Sequence, residues 1–183
     1  MKKNFLFLLK VWPVVFLTLA VLSFLTEKVA SLLGYTLAGQ EALEAVYHVL
    51  VDGSWSERGK VLFLVLILAP ISEELIFRFV GWRFPQILLK WIHAKVFHVA
   101  LAGLLALVSS AAFMCVHYIQ VTSHFNSFWV TTKPLDNAFI ALFFFGLAQC
   151  LIYFKTKNIL FPILHHFLFN LTNLIFLLVF YKY

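Results

Sequence analysis

Five apolar stretches, at residues 5–25, 60–82, 96–121, 138–154 and 159–180, take up most of this 183-residue chain. A helix needs about 20 mainly apolar residues to cross the hydrocarbon core of a bilayer. Each stretch meets that length or nearly does; the fourth is short and is completed by its flanks. Lipid offers no water to a bare peptide group, so a spanning segment must satisfy its own hydrogen bonds, which a helix does. The expected architecture is therefore all-α: a polytopic transmembrane helical bundle of about five to six spans. The uncertain sixth is 29–51, which is apolar but carries Glu41, Glu44 and His48 at helical spacing. That pattern fits an amphipathic helix lying in the membrane interface better than a span.

Composition agrees. The chain is 63% hydrophobic and 12% charged, with 22 Phe and a mean hydropathy of +0.95, far from the balance of a soluble domain. A net charge of +6 would suggest nucleic acid if the cations were clustered. They sit instead at the ends of apolar runs, where they orient helices, so no nucleic-acid partner is expected. Lys2 and Lys3 precede the first span; Arg83, Lys90 and Lys95 follow the second; Lys155 and Lys157 lie between the last two. The other loops mix signs. The positive-inside rule then gives a multi-pass protein of the cell membrane with a cytoplasmic N-terminus and, with five spans, an external C-terminus. The apolar run at 5–25 is long for a signal peptide and no small-residue cleavage site follows it, so it reads as a retained span. Cys115 and Cys150 lie in apolar runs and are expected to be buried thiols.

Against this background, Ser72-Glu73-Glu74-Leu75-Ile76-Phe77-Arg78 places three ionisable groups where a span should be apolar. Each costs roughly 2.5–3.5 kcal/mol on insertion scales, so such residues mark functional sites. Residues four apart share a helix face, and Glu74 can pair with Arg78. Glu73 points about 100° away and has no local partner, which suits a general base. A buried polar clamp of all three is the bland alternative, and Glu73 fits it poorly. His117 lies near the end of the third span. His166 and Asn170 share a face of the fifth, and His165 lies on another with Phe169. Together these supply a carboxylate, imidazoles and an amide, enough to activate a water and hold an oxyanion. Glu73, His117 and His166 could equally be zinc ligands, although the H-E-x-x-H signature is absent. Ser109 and Ser110 give weak support to serine chemistry.

Glu73-Glu74-x-x-x-Arg78, Phe113-x-x-x-His117 and His166-x-x-x-Asn170, in that order on separate apolar helices, resemble the three motifs of the CPBP family, the CAAX-processing and bacteriocin-processing (Abi) intramembrane proteases. Gly146-Leu147, Thr156 and Pro162-Ile163 resemble the family's lead-in to the last motif. Phe79 stands where many members have Gly. The resemblance covers about Val61 to Asn173. It makes residues 59–183 a catalytic helical core and residues 1–58 an N-terminal span with an interfacial segment. It implies a glutamic-type endopeptidase acting on membrane-associated protein or peptide substrates, with no metal in the chemistry. Glu73 and His117 would activate the water, His166 and Asn170 would stabilise the oxyanion, and Glu74 and Arg78 would support them. A bacteriocin-immunity or scaffold protein using the same fold is the non-enzymatic alternative. One expectation conflicts with a shared site. With these span limits His117 lies toward the external end of its helix, roughly 15 Å from His166 along the membrane normal.

Overall fold

The computed structural model describes residues 2–88, 95–124 and 127–180; Lys90, expected in the basic loop after the second span, lies outside them. Among the described residues six helices and one hairpin follow in order: α1 (Lys2–Leu32), α2 (Glu41–Asp52), α3 (residues 55–88), α4 (Lys95–Val116), β1 (Ile119–His124), β2 (Ser127–Thr132), α5 (Phe139–Thr156) and α6 (Leu160–Phe180). By length and composition, α1, α6, α5 and the 96–116 part of α4 can each cross a membrane. The fifth expected span, 60–82, lies within α3. The outward faces carry Val14, Leu17, Leu107 and Val108, each at least half exposed and suited to lipid rather than water.

The 29–51 stretch divides between two elements. Its first turn extends α1, which closes at Gly34, whose φ of 77° suits glycine, with the Tyr35 N–H returning to Ala30 O at 2.9 Å. After a turn and an irregular stretch to residue 40, α2 follows, whose 12 residues are too few to span, so the sixth span is excluded.

α3 is the unusual helix. It starts from a capping box in which Ser54 and Glu57 satisfy each other's backbone N–H groups. It then widens twice into π-helical turns, at Leu64–Leu68 and Leu75–Arg83, where the N–H of Ala69 reaches Leu64 O and that of Phe84 reaches Phe79 O. Both wide stretches end two residues before a proline, Pro70 and Pro85. A proline inside an α-helix lacks the N–H and collides with the carbonyl four residues back. Widening to i→i+5 bonding moves that carbonyl aside and keeps the helix continuous.

α4 stops five residues short of the expected 121. His117 and Tyr118 make tight closing bonds to Met114 O and Cys115 O, and Lys133 N–H then bonds Tyr118 O at 2.8 Å to begin the hairpin. The hairpin pairs Ile119 with Thr132 through to His124 with Ser127. Its Ile, Val, Thr, Phe and Trp content favours extended chain over helix. Beyond it, Tyr118 Oη donates to Asp136 Oδ1 at 2.6 Å, Ala38 N–H bonds Leu135 O at 3.0 Å, and Gln40 Nε2 bonds Asn137 Oδ1 at 2.5 Å. These bonds tie the α1–α2 turn to the α4–α5 connection.

The core has three parts. Leu19, Phe113, Ala141 and Phe145 form the centre; Leu8, Ile152 and Phe161 form a second layer; Trp82, Cys150 and Tyr153 form a third. Leu8 and Leu19 bring α1 into the same interior as the motif-bearing helices. α4 and α5 meet at Gly146, where a Cβ would lie only 2.8 Å from Ser110 Cβ. Cys150 is buried, as expected, whereas Cys115 is exposed on the outer face of α4.

Candidate active site

The first motif sits on α3 between its two prolines. Glu74 and Arg78 are fully buried, and Arg78 Nε lies 3.2 Å from Glu74 Oε2. The guanidinium stacks over the Phe113 ring at 4.9 Å and donates to Ser109 Oγ at 3.4 Å. Ser109 Oγ in turn donates to Phe77 O at 2.6 Å, and Ser110 Oγ donates to Ala106 O at 2.7 Å. Both hydroxyls are buried and donate to main-chain carbonyls. Phe79, in the position where many members of the resembled family have glycine, is 41% exposed. Gly81, two residues on, faces Ser109 instead.

The other oxygen of Glu74 receives His166. Its Nδ1 lies 2.9 Å from Glu74 Oε1. A carboxylate can only accept, so Nδ1 carries the proton and Nε2 is turned the other way. His117 is set by the same logic. Its Nδ1 lies 2.7 Å from Phe113 O, so that nitrogen is the donor and Nε2 is bare. The two Nε2 atoms converge on one atom, Glu73 Oε2, at 3.8 Å from His166 and 4.0 Å from His117. This oxygen is buried and accepts no hydrogen bond from any described residue. The two separations exceed direct hydrogen bonding.

The expected 15 Å separation of His117 from His166 is thus corrected. That separation would hold for parallel helices with level ends. Instead α4 and α6 approach each other through Phe113, Phe145 and His166, with ring centroids of Phe113 and Phe145 5.8 Å apart and of Phe145 and His166 4.9 Å apart. The His117 imidazole also folds back a full turn onto Phe113 O, which carries it deeper into the bundle than its backbone.

Asn170 is held by α3. Its Nδ2 donates to Val65 O at 2.9 Å. The cause lies in the wide turn. An α-type bond to Val65 O would come from Ala69, whose N–H goes to Leu64 O; a π-type bond would come from Pro70, which has no N–H. Asn170 supplies a donor that neither provides, and its second amide hydrogen is left for the site. His165 turns away from Glu73. It is fully buried and stacks on Phe145 at 5.9 Å, with no hydrogen bond to its ring among the described residues.

A cavity of about 320 Å³ opens beside His117, Asn170 and Asn173. Its apolar walls include Phe16 and Leu19 of α1, Leu43 of α2 and Leu142 of α5. Glu73 and His117 retain 25% and 34% of their side-chain exposure, against 6% for His166. No three His, Cys, Asp or Glu side chains among the described residues are arranged to hold a metal ion.

The sequence-stated residues Glu73, Glu74, Arg78, His117, His166 and Asn170 therefore meet in one place. Ser109, as the brace of Arg78, and Pro70, as the cause of the Val65–Asn170 bond, were not anticipated. Pro70 within an apolar run was the available signal; nothing local marked Ser109.

No curated protein and no solved structure matches the chain. A family model described as type II CAAX prenyl endopeptidase Rce1-like matches residues 56–172, more than half of the 183 and inclusive of every residue of the site. With its apolar spanning helices, the chain is an integral membrane protein that belongs to the Rce1-like family of type II CAAX prenyl endopeptidases.

Proposed function

We propose that this protein is an intramembrane glutamic-type endopeptidase acting on membrane-associated proteins or peptides. The observation that carries the reading is the convergence of two bare imidazole nitrogens on the unpartnered oxygen of Glu73. A water between them can donate one hydrogen to Glu73 and the other to an Nε2, leaving a lone pair for the scissile carbonyl. As its oxygen bonds to the carbonyl carbon, Glu73 takes the proton. The carbon–nitrogen bond then breaks, and the same proton passes to the departing amine. The second water proton stays on the new carboxyl group, so the products are a carboxylic acid and an amine.

His166 and the free amide hydrogen of Asn170 are the groups proposed for the oxyanion. Glu74 holds His166 Nδ1 as a donor, so that a proton reaching Nε2 would turn that nitrogen toward the oxyanion, with His117 Nε2 left to accept from the water. The apolar cavity beside His117 would receive the chain flanking the scissile bond. No cofactor enters this scheme. The basic residues at one end of the bundle support a cell-membrane location with a cytoplasmic N-terminus.

The test is cleavage of a membrane-anchored peptide reporter in proteoliposomes. Wild type is expected to release the fragment, Glu73→Ala to release none while remaining inserted, and zinc chelation to change nothing. Retained cleavage by Glu73→Ala contradicts the reading. Loss of activity on removing a stoichiometric zinc would favour a zinc enzyme built from Glu73, His117 and His166. Protection or partner binding in cells that survives both Glu73→Ala and His117→Ala would make the role that of an immunity or scaffold protein.

A further inference from the structure

A second cleft lies at the opposite end of the bundle from His117, and neither the motifs nor the proposed chemistry use it. It is about 750 Å³ in volume and runs between α3, α4 and α5. Its floor is made of small residues of α4, Ala102, Gly103 and Ala106; its wall is Leu147, Leu151 and Phe154 of α5. The space is real at the floor: a Cβ added at Gly103 would meet no atom within 4 Å. The rim is cationic, with Arg83 on one side and Lys157 on the other, and a smaller recess of about 40 Å³ is lined by both.

The cations lack what would normally balance them. Among the described residues no carboxylate pairs with Arg83 or Lys157. Lys157 sits at the end of α5 in the left-handed conformation, φ 54°, with its ammonium 3.8 Å from the centre of the Phe154 ring. Its pKa is lowered, first by partial burial and then by the positive charges of Arg83 and Lys155. Two like charges are thus held around one recess, an arrangement that an anion would relieve. The position identifies the anion's source. α4 and α5 are spanning helices, and Asn4 Nδ2 donates to Thr156 O at 3.4 Å, so the start of α1, with Lys2 and Lys3, lies at this same end. This is the interfacial level where headgroup phosphates lie, directly above an apolar groove open to acyl chains.

We propose that this cleft is a binding site for an anionic phospholipid, its phosphate between Arg83 and Lys157 and an acyl chain along Gly103 and Leu151. The inner wall of the cleft, Ala106 and Cys150, backs onto Ser110, next to the serine that braces Arg78. A bound lipid would therefore steady the α3–α4 contact behind the active site.

The experiment titrates the detergent-purified full chain with phosphatidylglycerol, with phosphatidylcholine and with inorganic phosphate, following thermal unfolding. Phosphatidylglycerol is expected to stabilise saturably and the other two not. The double variant Arg83→Gln, Lys157→Asn removes both charges, with Asn chosen because it tolerates the left-handed backbone. It is expected to need roughly thirtyfold more lipid for half-saturation. Gly103→Leu fills the groove without touching the charges and is expected to abolish the shift. If both lipids stabilise equally, if inorganic phosphate reproduces the shift, or if both variants respond as wild type does, the site is not one for an anionic lipid.

Discussion

Glu73 and Glu74 are neighbours in the chain and opposites in circumstance. Glu74 belongs to a sealed clamp: fully buried, one oxygen toward Arg78 and the other on His166, with Ser109 and Phe113 behind. Glu73 belongs to an open face, a quarter exposed, with two imidazoles near it and a hydrogen bond to neither. The clamp has the properties of structure, and the face those of a reaction site. His166 joins them, one nitrogen in each. The difference teaches that a costly charge at membrane depth can be there to hold another residue rather than to react.

The comparison can be broken at several points. The largest effect on folding is expected from Arg78→Leu, which leaves Glu74 buried without its counter-ion. Losing one member of a buried pair costs about 3–5 kcal/mol. Thermal unfolding in detergent should show a severe loss of stability; an unchanged transition would mean the clamp is not structural. Asn170→Ala comes next. It orphans Val65 O, at a cost of about 1–3 kcal/mol, and should lower peptide turnover too, because the second amide hydrogen goes with it. A variant that loses only turnover would assign Asn170 wholly to the open face. The smallest effect on folding is expected from His117→Ala, since that side chain is a third exposed. Its unfolding transition should match wild type while turnover falls about 10²- to 10⁴-fold. A large loss of stability there would erase the distinction between the two regions.

Much of this was legible in the residues. Apolar runs of span length gave the helical bundle. The i,i+4 spacing of Glu74 and Arg78 separated them from Glu73, and that of His166 and Asn170 put both on one face. What could not be read depends on contacts between distant segments. The wide turns of α3 follow from Pro70 and Pro85, but the donor that meets Val65 O comes from a helix 105 positions later. Ser109 gives no local sign of its bond to Phe77 O. The hairpin at 119–132 overlaps the end of the apolar run to 121 because apolar, β-branched residues at a membrane boundary suit helix and strand alike, and only tertiary contacts such as Tyr118 with Asp136 decide. Helix offset was also invisible: spacing fixes which face a residue occupies, not the height at which two helices cross.

The division between the two glutamates is tested most directly by comparing Glu73→Gln with Glu74→Gln in the same proteoliposome assay, each with its unfolding transition measured. Glu73→Gln is expected to unfold as wild type does and to lose turnover about 10²- to 10⁴-fold. Glu74→Gln should unfold far more easily. Any activity it retains should scale with the fraction folded. The opposite pattern, an unstable Glu73→Gln or a stable but inactive Glu74→Gln, would contradict the assignment of Glu73 as the base and Glu74 as its support.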